Sequence, residues 1–199
     1  EVDSSRDGTK YLIIHSGSRN LGKQVAELYQ NIAIMEHKEV SDIPEDLCYL
    51  SGEAFQDYLH DVELCQHFAK RNREMMAKII FAKCNLSGTD AFHTIHNYID
   101  TKEMIIRKGA IAAHESEKVL IPINMRDGSI LAVGKGNPEW NYSAPHGAGR
   151  VMSRMKAKQA LSMKAYQETM KGIYTTSVTQ ATLDEAPMAY KSLEDIIDV

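Results

Sequence analysis

Histidine, glycine and arginine gather in Pro145-His146-Gly147-Ala148-Gly149-Arg150, with Arg154 close behind. An imidazole nitrogen can act near neutral pH as nucleophile, proton carrier or metal ligand. Pro145 restricts Ala144 to extended conformations, and the two glycines leave the backbone open to a ligand. The N–H groups of a helix beginning there would favour an anion such as phosphate. Helical spacing predicts Arg150 and Arg154 on one face beside that anion. The competing reading is a turn that needs its glycines, followed by a helix with two solvated arginines.

Two further corners carry the same chemistry. His15-Ser16-Gly17-Ser18-Arg19 ends a strand and opens a turn whose Ser and Arg side chains suit phosphate or the orientation of a metal ligand. In Phe92-His93-Thr94-Ile95-His96-Asn97, strand alternation places His93 and Ile95 on one face and Thr94 and His96 on the other. His96 is the better ligand candidate, because the Asn97 amide beside it can donate to an anion or reach a sugar hydroxyl. Arg107 and Lys108 precede Gly109, again placing positive charge beside bare backbone. His60 and His67 fall on a helix with no third donor spaced to join them, and read as surface residues.

The elements that must position these groups follow from periodicity. Glu1-Val2-Asp3 and Tyr11-Leu12-Ile13-Ile14 flank a turn and predict a hairpin. Residues 22–40 show helical spacing over roughly four turns, and Ser41 to Asp46 break it. A second helix is predicted from Gly52 to Lys83, with Phe55, Leu59, Val62, Phe68, Met75, Ile79 and Ile80 in its apolar stripe. Val119 to Met125 reads as a buried strand, Arg126 to Ser129 as a turn and Ile130 to Val133 as a strand. The fold expected is α+β, mixed strands and long helices with the site built at strand-to-helix loops. Residues 1–199 are expected to form a single partial domain, because the opening hairpin and the acidic tail from Asp184 both look cut through a fold.

Composition narrows the class. With 199 residues, 43% hydrophobic and 25% charged, the chain can bury a core and has no apolar run of membrane-spanning length. Three cysteines without paired spacing argue against a disulfide framework or zinc site and are read as core residues. They suit a reducing, cytoplasmic setting, and no secretory leader is indicated. The net charge of −4 gives no global attraction to nucleic acid, but Arg150, Arg154, Lys156, Lys158 and Lys164 form a stretch with no acidic residue.

Together the motifs resemble the RtcB family of RNA ligases. The matching stretches are HSGSRNLG at 15–22, HN at 96–97, RKGA at 107–110, the IP…M…S pattern from Ile121 to Ser129, PHGAGRVMSR at 145–154 and EAPMAYK at 185–191. They stand in the family's order and cover this chain, but only the later half of a family member. The resemblance implies a GTP- and manganese-dependent enzyme of tRNA splicing or RNA repair. It joins RNA 3′-phosphate or 2′,3′-cyclic phosphate ends to 5′-hydroxyl ends through a histidine–GMP intermediate. It implies His146 as the nucleophile, Gly147, Ala148 and Gly149 as the backbone cradle, and His15 and His96 as Mn2+ ligands. Asn97, Asn124, Ser129, Tyr190 and Glu1 are the implied nucleotide contacts, and Arg19, Lys108, Arg150 and Arg154 the implied phosphate or RNA contacts. The implied partners are RNA ends (tRNA halves or broken RNA), GTP and an archease-type activator, with no membrane.

The chain also departs from the family. Its earlier metal ligands and its terminal lysine are absent from these residues. Where the family has Pro-Gly-Ser-Met, this chain has Pro122, Ile123, Asn124 and Met125. Those departures motivate a second reading, a non-catalytic or divergent relative that binds nucleotide or RNA. A metal-dependent phosphatase or phosphodiesterase on another architecture is a third.

Overall fold

The computed structural model describes residues 1–38 and 42–197. The expected end of the first helix at residue 40, Ser41, and the tail residues Asp198 and Val199 lie outside them. The described chain divides into two compact units, residues 1–91 with 98–105, and residues 92–97 with 106–199. Helices and strands are mixed in the α+β manner expected.

The first unit opens with strands β1 (Val2–Ser4) and β2 (Lys10–Leu12), antiparallel with Asp3 opposite Tyr11. Asp7 fastens the turn by accepting from Ser5 Oγ and from Thr9 N at 3.0 Å, and the Ser5 hydrogen bond foremost lowers its carboxyl to about 2. Helix α1 (Arg19–His37) is followed by the long helix α2 (Gly52–Cys84). With 19 residues α1 has about five turns and starts at Arg19, so it is longer and begins earlier than its periodicity indicated.

Tyr29 and Ala33 of α1 and Cys65 and Ala69 of α2 are buried. Tyr29 hydroxyl donates to Asp61 Oδ2 at 2.9 Å, which lets the phenol be buried with its polar atom satisfied. Asn85 ends α2 in the left-handed conformation, a role its short amide tolerates better than most side chains. Phe68, Met75 and Ile79 of the predicted apolar stripe are exposed rather than packed. Of the cysteines only Cys65 is buried; Cys48 is intermediate and Cys84 exposed, so the core assignment holds for one of three.

The second unit contains nearly all of β4 (Ile105–Ala112), with β5 (Lys118–Asn124), β6 (Gly128–Val133) and β7 (Ser143–Pro145). Alternation in β5 buries Val119, Ile121 and Ile123, each burial stabilising by about 1.5–3 kcal/mol. They pack with Ile111, Ala113 and Ala148 into one core. Tyr166, Met170, Leu183 and Ala186 form another, with Tyr166 supplied by helix α4 (Met163–Thr169), which follows helix α3 (Arg154–Ala160). A short helix, α5 (Glu194–Ile197), closes the described chain.

Residues 92–95 are not a strand: β3 (His96–Asp100) begins only at His96. Thr94 is tied by its side chain, whose Oγ1 accepts from Leu120 N at 3.2 Å, and the predicted alternation of His93 and His96 does not apply.

Candidate functional site

Strand β7 sets the position of His146. It runs antiparallel to β4 with Ala110 opposite Pro145, so the next residue on one strand, His146, meets the preceding residue on the other, Gly109. Gly109 has φ +70°, a conformation glycine reaches without the strain a side chain would meet, and its carbonyl turns to the imidazole. His146 Nδ1 lies 2.7 Å from Gly109 O, and its backbone N 3.4 Å from the same oxygen. A carbonyl only accepts, so Nδ1 carries the proton and the lone pair of the neutral ring resides on Nε2.

His96 stacks on His146 with ring centroids 4.9 Å apart. Asn97, at φ +56°, anchors this corner. Its Oδ1 accepts from Gly109 N at 2.9 Å and lies 3.4 Å from Lys108 Nζ. Its Nδ2 therefore points the other way, 3.0 Å from His96 Nδ1.

The glycine loop rests on β5. Ala148 N donates to Pro122 O at 3.1 Å, and the Ala148 side chain is buried. Both its N–H and its methyl are thus spent inside the protein, which removes Ala148 from the open cradle expected. Gly147 approaches the same carbonyl so closely that a Cβ would stand 3.1 Å from it. Ser129 lies opposite Pro122 in the β5–β6 pairing, and among the described residues its buried hydroxyl finds no hydrogen-bond partner. An unpaired buried hydroxyl opposite the residue that seats the glycine loop fits a polar ligand such as a nucleotide. Asn124 is differently employed. Its Oδ1 accepts from Arg126 N and Asp127 N, both at 3.0 Å, and its Nδ2 donates to Asp127 Oδ2 at 2.9 Å, so its amide builds its own turn.

Arg150 and Arg154 do not share a helix. Gly149 has φ +75°, Val151 N donates to Ala189 O at 2.9 Å and Lys191 N to Gly149 O at 3.1 Å, which holds Arg150 extended against Tyr190. Helix α3 starts only at Arg154, where Ser153 Oγ caps it by accepting from Lys156 N at 3.2 Å. The helix start is thus not the anion site beside the glycines that the spacing suggested.

Both guanidiniums turn to the 184–190 segment. Arg150 donates to Tyr190 Oη at 3.0 Å, to Asp184 O, and lies 3.6 Å from Glu185, with its carbon 4.9 Å from the Tyr190 ring centre. Arg154 pairs with Asp184 at 2.8 Å and with Glu185, while Lys158 lies 3.3 Å from Asp184. Three of the five cations in this stretch, Arg150, Arg154 and Lys158, are therefore paired with two carboxylates distant in sequence. The Arg154 hydrogen bond holds the Asp184 carboxyl below its usual range, and burial, with the Glu185 bond, pushes the Tyr190 phenol up to about 12.

Arg107 is buried, donating from Nε to Ser143 Oγ and from Nη2 to Asn141 O, both at 3.0 Å. It anchors the entry to β7 from within and does not face a ligand. Lys108 is exposed. Neither composition nor spacing marked Arg107 as a support; an arginine inside an alternating apolar strand was the available signal.

In the first unit His15 and Arg19 are exposed at the opening of α1, Arg19 at φ +56°. The loop between them is braced from α2, a support the sequence reading missed. Asn72 Nδ2 donates to Ser16 Oγ at 3.1 Å and Arg73 Nη1 to Ser16 O at 2.9 Å. Glu1 is exposed, its terminal amine bonded to Ile13 O at 2.9 Å.

Among the described residues no three His, Cys, Asp or Glu side chains come together to hold an ion. His96 Nδ1 accepts from Asn97 Nδ2, which in the neutral ring leaves the proton on Nε2. Among the described residues, no helix is long and apolar enough to cross a membrane.

Comparison with known proteins bears on the whole chain. It is 31% identical to the RNA-splicing ligase RtcB of Escherichia coli K12 over 94% of its length and 51% of that protein's. It is 32% identical to the tRNA-splicing ligase RtcB of Aeropyrum pernix over 97% of its length and 48% of that protein's. Against the tRNA-splicing ligase RtcB of Nanoarchaeum equitans the identity is 31%, over 94% and 47%. The chain thus spans about half the length of the curated relatives it matches. A family model described as tRNA-splicing ligase RtcB matches residues 3–199, and the chain belongs to that family.

Proposed function

We propose that the protein is an RNA ligase that joins a 3′-phosphate or 2′,3′-cyclic phosphate RNA end to a 5′-hydroxyl through a GMP adduct on His146, in tRNA splicing or RNA repair. The observation that carries this reading is the 2.7 Å contact from His146 Nδ1 to Gly109 O. With its Nδ1 proton held there, His146 presents the Nε2 lone pair for attack on the α-phosphorus of GTP. The N–P bond forms as the P–O bond to pyrophosphate breaks and pyrophosphate leaves with the electron pair. The adduct is a phosphorylated imidazolium whose Nδ1–H still donates to Gly109 O, a charge that keeps the N–P bond labile. A 2′,3′-cyclic end is first opened by water, its 2′-oxygen leaving as the hydroxyl; an oxygen of the RNA 3′-phosphate then attacks the same phosphorus, and the electron pair returns to Nε2. The 5′-hydroxyl finally attacks the activated 3′-phosphate and releases GMP.

Ser129, with its unpaired hydroxyl, and the bare loop at Gly147 and Gly149 are the nucleotide contacts in this reading. RNA ends are its substrates, whether tRNA halves or broken RNA, with an archease-type activator as partner and the cytoplasm as setting. Manganese dependence belongs to the whole protein, to which His15 and His96 would be this chain's contribution.

Incubation of the full-length protein with α-labelled GTP and manganese tests the proposal. An acid-labile label on the protein, lost in His146→Ala, is expected; no label, or one that survives the substitution, would refute it. The amide of Asn124, consumed in its own turn, favours one further reading, a divergent relative that binds GTP or RNA without forming an adduct. Saturable binding with no covalent label would select it.

A further inference from the structure

We infer that Asn97 is a positioning residue for His146, acting through the Gly109 turn; the inference rests on the reading of His146 as nucleophile. Gly109 is held in the left-handed region, φ +70°, within a strand. The Gly109 N–H is fixed by Asn97 Oδ1 at 2.9 Å, and the Gly109 carbonyl holds His146 Nδ1 at 2.7 Å. One residue thus receives Asn97 on its N–H and offers His146 its carbonyl, and the angle between them is set by the unusual φ. The other end of the Asn97 amide is committed as well, since Nδ2 donates to His96 Nδ1 at 3.0 Å and the His96 ring stacks on that of His146 at 4.9 Å.

The two ends of this amide therefore hold His146 from two sides, through the carbonyl at its Nδ1 and through the ring against its face. The amide orientation is not arbitrary. An N–H donor on Gly109 requires the oxygen of Asn97, which leaves only the NH2 for His96. The chemical consequence concerns which nitrogen of His146 is bare. A neutral histidine side chain in water favours the proton on Nε2, the form in which Nε2 has no lone pair with which to attack phosphorus. The carbonyl of Gly109 selects the opposite tautomer, and Asn97 keeps that carbonyl in place.

The test uses the full-length protein labelled with 15N in its histidines, at a pH where the rings are neutral. Long-range 15N–1H correlations of His146 report its tautomer, and the rate of adduct formation is followed against GTP concentration. In the parent protein the His146 proton is expected on Nδ1. In Asn97→Ala it is expected to redistribute toward Nε2, and the adduct rate at saturating GTP to fall about 10- to 100-fold. Asn97→Asp keeps an acceptor for Gly109 N–H and is expected to retain the Nδ1 tautomer, which also serves if the alanine variant does not fold. A residue that merely contacts the nucleotide would raise the GTP concentration needed for half-saturation and leave tautomer and saturated rate unchanged; that outcome overturns the proposal. So does a redistributed tautomer in Asn97→Asp. If His146 never takes a label, the proposed function fails, while the tautomer measurement still decides whether Asn97 sets the ring.

Discussion

Arg154 Nη1 stands 2.8 Å from Asp184 Oδ2, joining the first turn of α3 to a buried carboxylate that the sequence places far away. The Arg154 hydrogen bond, and then Lys158, hold the Asp184 carboxyl below its usual value. A depressed carboxyl pKa contributes stability that is present above the unfolded value, about 3.9, and is lost as pH falls through the folded value. Asp184→Asn should therefore lower the Tm at pH 7, and the gap to the parent should close on acidification below about pH 4. A gap of the same size in strong acid would contradict the pairing.

At alkaline pH the relation reverses. Tyr29 and Tyr190 are both pushed up to about 12, chiefly by burial and then by Asp61 and Glu185 respectively. Their contribution is complete below the ordinary tyrosine value of about 10 and is lost as pH climbs to about 12. Ultraviolet titration should show a late-ionising fraction, and Tyr190→Phe should remove part of it. The variant should also lose stability less steeply than the parent over that interval.

Arg107 is a buried cation supported by hydrogen bonds to the 141–143 segment. Arg107→Ala leaves those acceptors unmatched and should cost about 3 kcal/mol, read as a lower urea midpoint with an unchanged slope. Arg107→Lys should recover only part, because one ammonium cannot reproduce the guanidinium fork.

Gly109→Ala forces a side chain into φ +70° and sets its Cβ 3.6 Å from His146 Cε1. A cost of about 1–3 kcal/mol is expected by denaturation, together with loss of the GMP adduct. Gly109→Asn should be better tolerated in stability, since asparagine visits the left-handed region more readily.

Ser129→Ala separates stability from function. Removing a buried, unpaired hydroxyl should stabilise by about 1 kcal/mol, while GTP affinity measured by calorimetry should fall. A destabilised variant with unchanged GTP binding would show that the hydroxyl has a structural partner instead.

What could be read beforehand followed periodicity. The opening hairpin, α2, and the β5–β6 pair emerge because alternation and 3.6-residue spacing are local properties of the chain. The site was legible as residue types, with His146, the glycines and Asn97 all noticed. Their partners were not, because they depend on pairing between distant segments. Nothing near Arg150 announces that Glu185 will pair with it, and nothing near His146 announces that a glycine carbonyl will choose its tautomer. The four-residue spacing of Arg150 and Arg154 suggests one helical face, but contacts with 189 and 191 hold Arg150 extended instead.

The pairing of Ala110 with Pro145 also says where this protein can grow. Everything between the two strands, the β5–β6 hairpin included, is an excursion that leaves β4 and returns to it. Residues added in the exposed turn Pro138–Trp140, whose backbone bonds are local, change the length of that excursion and not the place of its return. A displacement of β7 by one residue against β4, in contrast, would put Pro145 or Gly147 at the Gly109 carbonyl and remove the imidazole altogether. Tolerance to insertion and intolerance to slippage should therefore coexist within some thirty residues, and a library of loop lengths would map the boundary between them.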